Sequence, residues 1–372
     1  MENSLLELAT PGVQGLQPYV PGKPVSELER EYGIRNAVKL ASNENPLGPS
    51  PAVLEALRGE FNDLARYPDG NGFVLKAALA DKLGVEPDGI TLGNGSNDVL
   101  ELVARAFLTP QSSAVFSAHA FAVYPIVTQA IGARSRVVPA HDGSRGPRFG
   151  HDLESMLKAI TDDTRVVFVA NPNNPTGTWV NKDSLRHFVE CVPETVIAVI
   201  DEAYFEYVEE ADYPNSMHWI SEFPNLLVTR TFSKAYGLAA LRVGYGVSQS
   251  AVADILNRVR QPFNVNSFSQ VAAVAALKDN AHLAESVRVN RDGMQQLVQG
   301  LDALKLDYIP SAGNFISVDV GRNPGQVYNA LLREGVIVRP VDNYGMPGYL
   351  RVSIGLEKEN QRFLESLEQV LS

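Results

Sequence analysis

The apolar run Leu226-Leu227-Val228 leads into Thr229-Arg230-Thr231-Phe232-Ser233-Lys234, and Arg242 follows eight residues after the lysine. A lysine placed where an apolar run ends is desolvated, which lowers its pKa and frees a neutral amine to attack a carbonyl. The hydroxyls beside it and the guanidinium beyond it suit a phosphate. Alone, such a lysine is more often a solvated surface charge. Three other segments stand in the same kind of place. Gly93-Asn94-Gly95-Ser96-Asn97-Asp98 follows Ile90-Thr91-Leu92 and precedes helical spacing. Its glycines let the backbone close on an anion, and the helix N-terminus offers free N–H groups. It matches neither G-x-G-x-x-G nor a Walker loop, so no dinucleotide or ATP motif is present, and alone it reads as a capped turn. Asn171-Pro172-Asn173-Asn174-Pro175-Thr176-Gly177 follows the run 166–170; its prolines force an irregular loop and leave the Asn side chains to bond outward. Asp201-Glu202-Ala203-Tyr204 follows the run 196–200. A carboxylate at the end of a buried strand needs a cationic partner, although capping the next helix is the simpler use of Asp201. Each segment has an ordinary explanation by itself. Four of them at the ends of apolar runs point to one site.

For these segments to converge, the apolar runs must be strands of one sheet. The runs at 90–92, 114–116, 136–138, 166–170, 196–200, 226–228 and 243–247 are short and do not alternate, which marks strands covered on both faces. Helical spacing separates most of them, as at Val53, Leu54, Leu57 and Phe61, and again over 73–83 and 99–107. The expected class is α/β, with an open, mostly parallel sheet of about seven strands, and ligands bind such sheets at the carboxyl ends of the strands. After residue 265 the pattern becomes α+β: helices over 267–277 and 281–301, a strand at 315–320, a helix at 325–334, strands at 336–339 and 349–353, and a closing helix at 358–371. A chain of 372 residues is too long for one core. The expected division is an N-terminal arm with part of the small domain (1–45), a large domain (46–265) and a small C-terminal domain (266–372). The prolines and glycines at 11–12 and 18–24 are expected to exclude regular structure from the arm, with a short helix near 25–32.

A formal net charge of −11 disfavours a nucleic-acid partner, and an anionic small molecule would need locally placed Arg or Lys. One cysteine, Cys191, builds no intrachain disulfide framework, and no metal site is expected. The first residues lack a basic-then-apolar leader, and no apolar run reaches the roughly 18 residues of a membrane span. A cytoplasmic protein without a membrane partner is expected.

These segments together resemble the fold-type I pyridoxal-phosphate aminotransferases, in the branch of the histidinol-phosphate aminotransferases. The resemblance runs over nearly the whole chain. It is carried by Tyr19-Val20-Pro21-Gly22-Lys23-Pro24, Ser42-Asn43-Glu44-Asn45-Pro46-Leu47-Gly48-Pro49, Arg66-Tyr67-Pro68-Asp69, the Asn173–Gly177 loop, Asp201-Glu202-Ala203-Tyr204, Ser233-Lys234 with Arg242, and Leu350-Arg351-Val352-Ser353. It implies a three-layer sandwich beside a smaller α+β domain, with pyridoxal phosphate as cofactor. Lys234 would carry the cofactor and shuttle the substrate proton, and Asp201 would keep the ring nitrogen protonated so that the ring accepts electrons. Tyr204 and Asn174 would bond the ring hydroxyl. Gly95, Ser96, Asn97, Thr231, Ser233 and Arg242 would hold the phosphate. Phe121 would stack on the ring, where the branch often has tyrosine, so a hydroxyl near the substrate is lost. Tyr67 would reach the cofactor of a partner subunit, which implies a homodimer. Arg339 and Arg351 would bind the substrate anion, and Tyr19, Asn43 and Glu44 would face the substrate side chain. His119 is expected to be structural, since a lysine already transfers the proton.

The implied reaction joins an amino donor, L-histidinol phosphate, with a 2-oxo acid acceptor, 2-oxoglutarate. An aromatic aminotransferase acting on phenylalanine or tyrosine stays open, because an arginine holds carboxylate as well as phosphate. A lyase such as threonine-phosphate decarboxylase also stays open, because the bond held perpendicular to the ring is the one that breaks. A cofactor-sensing regulator would need a further DNA-binding module, for which the enzyme fold leaves no residues.

Overall fold

The computed structural model of the chain describes residues 5–18 and 22–372. Strand β1 (Val38–Lys39) precedes a central sheet made of β2 (Ile90–Gly93), β3 (Ser113–Ser117), β4 (Arg134–Val138), β5 (Thr164–Ala170), β6 (Ile197–Asp201), β7 (Leu226–Thr231) and β8 (Gly244–Ser248). Their order is β2-β8-β7-β6-β5-β3-β4. Neighbours pair in parallel, except that β8 runs antiparallel to both β2 and β7. Every residue of β3, β6, β7 and β8 is buried, as non-alternating apolar runs require, whereas the edge strand β4 exposes Arg134, Ser135 and Val137.

Side chains alternate across the sheet and build two cores. Val167, Val169, Ala198, Ile200 and Val228 face helices Pro51–Glu60, Phe73–Leu83, Lys182–Cys191 and Ser267–Lys278. Val166, Phe168, Ile197, Val199 and Leu227 face helices Ser96–Phe107, Val123–Ile131 and Ser250–Val259. Burying one such side chain contributes roughly 1.5–3 kcal/mol, more than the roughly 0.7 kcal/mol over which ordinary helix propensities range. Packing on the sheet therefore holds the site-bearing helices in place.

Beyond helix Asn280–Ala303 come β9 (Tyr308–Ile309), β10 (Phe315–Asp319), β11 (Val336–Ile337), β12 (Arg339–Pro340) and β13 (Tyr349–Ser353). An antiparallel sheet is formed in the order β12-β13-β10-β9, while β11 pairs in parallel with β1. The single strand expected at 336–339 is thus two, because the chain changes sheets at the buried Val338. This unit has its own core, with Leu297, Leu301, Ile316, Val352 and Phe363 joined by Leu40. Helix Ser267–Lys278, in contrast, buries Ala272, Ala273 and Ala276 in the core of the central sheet.

Residues Pro11–Gln14 of the arm form a turn of helix, where prolines were expected to exclude regular structure. Proline at the first helical position loses no hydrogen bond. A Cβ on Gly12 would lie 2.0 Å from the Gln129 carbonyl oxygen, so the turn seats directly on the end of helix Val123–Ile131. Among the described residues, no helix is long and apolar enough to cross a membrane.

Candidate active site

The carboxyl ends of β5, β6 and β7 and the N-terminus of helix Ser96–Phe107 open into one cavity of about 600 Å³. Of the residues selected from sequence, it is lined by Asn43, Ser96, Asn97, Phe121, Asn174, Asp201, Tyr204, Thr231, Ser233, Lys234, Arg242, Arg339 and Arg351. Four of these are cations, gathered in a chain whose net charge is −11.

Lys234 follows β7, and its Nζ donates to the Ser42 carbonyl at 3.3 Å. Burial pushes its pKa down to about 8, and the nearby Arg351 and Arg242 add to the effect while Glu44 and Asp201 oppose it. The amine is thereby prepared to act as a nucleophile and a base close to neutral pH.

One end of the cavity is made of donors. Arg242 takes the left-handed conformation (φ 56°), which is strained for a non-glycine residue, and its Nη1 donates to Ser233 Oγ at 3.3 Å and to the Ala239 carbonyl at 3.1 Å. Gly95 has φ 81°, and a Cβ there would fall 2.5 Å from Arg242 Nη2. Only glycine therefore lets helix Ser96–Phe107 begin against the guanidinium. Thr231 Oγ1 accepts from the Ser233 backbone N–H at 3.1 Å. Two hydroxyls, a guanidinium and a helix N-terminus form a cradle that fits a phosphate.

Asp201 is 4% exposed, and its oxygens accept from the hydroxyls of Tyr124 (2.8 Å) and Thr229 (3.0 Å). Burial raises its pKa and the two hydroxyls pull it back. The simpler use, capping a helix, is not what it does: the next element is the 3-10 turn Phe205–Tyr207. A buried carboxylate held by neutral donors fits a protonated ring nitrogen. The Tyr204 hydroxyl accepts from Asn43 Nδ2 at 2.9 Å and Asn174 Nδ2 at 3.0 Å, and burial pushes its pKa up to about 12. The phosphate cradle, the carboxylate, the phenol and the amine match the phosphate, nitrogen, ring hydroxyl and carbonyl of pyridoxal phosphate, so these residues fit that cofactor.

Arg351 donates from Nη1 to Asn174 Oδ1 at 2.5 Å and from Nη2 to the Ala41 carbonyl at 2.6 Å. Across the β12–β13 pair it stands in register with Arg339. Like charges facing each other repel, and an anion in the cavity both line relieves that repulsion.

Three selected residues stand elsewhere. Gly95 backs Arg242 rather than lining the cavity. Glu44 pairs with Lys39 at 2.8 Å. Tyr67 is 82% exposed and stacks on Phe263 with centroids 4.7 Å apart. Tyr19 lies outside the described residues. His119 bonds the Tyr344 carbonyl through Nδ1 at 2.7 Å, tying the loop after β3 to the segment after β12. The two hydroxyls that hold Asp201, those of Thr229 and Tyr124, went unselected. Tyr124 is three residues after Phe121 and stacks on Phe168 with centroids 4.7 Å apart. A polar-tipped aromatic on a mostly apolar helix was the available signal, but its partner Asp201 is 77 positions away.

A sequence profile described as Aminotransferase class I and II matches residues 35–367. The chain is 63% identical to histidinol-phosphate aminotransferase 2 of Pseudomonas fluorescens, with 100% of both chains covered. It is 60% identical to the protein of the same name from Methylococcus capsulatus, with 99% of each covered. Among solved structures, histidinol-phosphate aminotransferase from Sinorhizobium meliloti in complex with pyridoxal-5'-phosphate aligns with a TM-score of 0.87 at 31% identity, with 97% of both chains covered.

Proposed function

The chain belongs to the class I and II aminotransferase family, and on that premise we propose that it moves the amino group of L-histidinol phosphate to 2-oxoglutarate, giving imidazole-acetol phosphate and L-glutamate. The observation that carries this reading is the Arg339–Arg351 pair on the cavity that also holds Lys234. It offers guanidinium forks to the distal phosphate of the donor and to a carboxylate of the acceptor. Pyridoxal phosphate, when bound, supplies the electron sink that makes the substrate Cα acidic. Lys234 would hold the cofactor, and as a free amine it would take and return the proton at that carbon. Asp201 would keep the ring nitrogen protonated, Tyr204 and Asn174 would hold the ring hydroxyl, and Phe121 would cover the ring. Ser96, Asn97, Thr231, Ser233 and Arg242 would bind the phosphate.

Supporting a homodimer, Phe61, Leu64, Tyr67, Phe73, Val74 and Phe263 are exposed along one stretch of chain and its neighbour, an apolar patch of the kind that marks an interface. A second copy on that face would bring Tyr67 to the partner's cavity. Packing supports two domains divided within helix Asn280–Ala303, because helix Ser267–Lys278 belongs to the central core. A single cysteine suits a reducing cytoplasm.

The test is to load the purified protein with pyridoxal phosphate and assay histidinol phosphate, phenylalanine and threonine phosphate. Glutamate formation from 2-oxoglutarate should be fastest, by kcat/KM, with histidinol phosphate. Equal or better use of phenylalanine, or release of carbon dioxide from threonine phosphate, overturns the reading. The same preparation should sediment at twice the 40.5 kDa chain mass.

A further inference from the structure

We propose that Asn43 is a positioning residue for Tyr204 and not a contact for the substrate side chain: locked to Ser353, it fixes the direction in which the Tyr204 hydroxyl donates. This rests on pyridoxal phosphate occupying the cavity.

A phenol has one hydrogen and two lone pairs. The Tyr204 oxygen already accepts twice, from Asn43 Nδ2 at 2.9 Å and Asn174 Nδ2 at 3.0 Å. Its own hydrogen must point elsewhere, and the open direction is the cavity that Tyr204 lines. Two N–H donors on one oxygen also polarise the hydroxyl and strengthen the bond it gives.

Asn43 is held so that only its NH2 end can meet Tyr204. Its Oδ1 accepts from Ser353 Oγ at 2.9 Å, and Ser353 Oγ accepts from the Asn43 backbone N–H at 2.8 Å. Its carbonyl accepts from Asn314 Nδ2 at 3.0 Å. The residue is 1% exposed and takes φ 54°, a conformation asparagine tolerates better than most. Were the amide reversed, Oδ1 would take the phenol hydrogen for itself and Tyr204 could no longer donate into the cavity. Ser353 lies two residues beyond Arg351 on β13. That strand therefore reaches the Tyr204 hydroxyl twice, through Arg351 and Asn174 and through Ser353 and Asn43.

The experiment titrates the visible absorbance of the lysine-bound cofactor against pH in the wild-type protein and in Asn43→Ala, Asn43→Asp, Ser353→Ala and Tyr204→Phe. A weaker hydroxyl donor stabilises the anionic ring oxygen less, so the midpoint rises. The largest rise is expected for Tyr204→Phe, with roughly half to one pH unit for Asn43→Ala, the equivalent of one hydrogen bond, and less for Ser353→Ala. KM for histidinol phosphate should stay within about twofold, because the substrate anion is held elsewhere. An unmoved midpoint with a raised KM would make Asn43 a substrate contact and overturn the proposal. An unmoved midpoint with only a lower melting temperature would reduce it to packing, which also overturns it. Should Asn43→Ala fail to fold, Asn43→Asp keeps the shape and the Ser353 bond while replacing the donor with an acceptor, and its midpoint must still rise. A wild-type protein with no lysine-bound cofactor band removes the cofactor reading itself, and this inference falls with it.

Discussion

Asp201 and Glu202 are adjacent carboxylates at the end of β6, both buried, and they meet opposite surroundings because successive strand residues point to opposite faces. Glu202 lies on the face of helices Pro51–Glu60 and Ser267–Lys278. There Arg230 donates to it from Nε at 2.9 Å and from Nη2 at 2.6 Å, and the Ser216 backbone N–H adds a third bond at 3.1 Å. Its charge is cancelled in place. Asp201 lies on the cavity face and receives the neutral hydroxyls of Tyr124 and Thr229. The neighbouring strand supplies both partners from consecutive residues, Thr229 to one face and Arg230 to the other. A buried charge already paired is scaffold, whereas a buried charge held by neutral donors keeps its field for a cationic ligand group.

Exchanging each carboxylate for its amide should break that symmetry most visibly. Asp201→Asn is expected to keep its unfolding midpoint and lose three or more decades of kcat, at about 1.4 kcal/mol of barrier per decade. Glu202→Gln leaves the Arg230 charge buried without its counter-charge and should lose about 3–5 kcal/mol in denaturant unfolding, while the folded fraction keeps kcat within tenfold. Paired kinetics and urea melts decide it, and the opposite assignment would end the comparison.

The cavity face should also show its electrostatics in pH. Because the pKa of Lys234 is pushed down from 10.5 to about 8, its neutral form grows as pH rises through 8. The rate at which the apoprotein takes up pyridoxal phosphate covalently should climb with a midpoint near that value. Arg351 is one of the cations holding the pKa down, so Arg351→Ala should move the midpoint upward. A midpoint near 10.5 in the wild type would mean that Lys234 is not desolvated.

The smallest change sharpens the Asp201 half alone. Tyr124→Phe removes one of two hydroxyls and about 1–1.5 kcal/mol of hydrogen bonding. It should slow kcat by about tenfold and weaken cofactor binding, with KM for histidinol phosphate nearly unchanged. Wild-type kcat and cofactor affinity would show that Thr229 suffices.

How much of this was legible beforehand differs by element. The seven apolar runs and their helical separators named the strands of the central sheet, and the loops after them held most of the site, because burial on both faces and the switch between periods of 2 and 3.6 are local properties of a chain. Lys234, Asp201, Asn174 and Arg242 were visible for that reason. The reversed direction of β8 and the change of sheets at Val338 were not, since both depend on which strand is available as a partner. Nor did local pattern reveal that the arm's proline starts a helical turn, which needed the end of helix Val123–Ile131 to seat against.

Sequence by itself determined the fold class, the division of chemistry among strand ends, and the presence of an amine, a carboxylate and a phosphate cradle. Only the tertiary structure decided which donors those groups meet. Tyr124 reaches Asp201 across 77 positions and Asn43 reaches Tyr204 across 161, while Arg339 faces Arg351 through strand register. Periodicity and composition report whether a side chain is buried over a few residues. The direction of a single hydrogen bond is set by how whole elements pack, and that packing is a property of distant segments acting together.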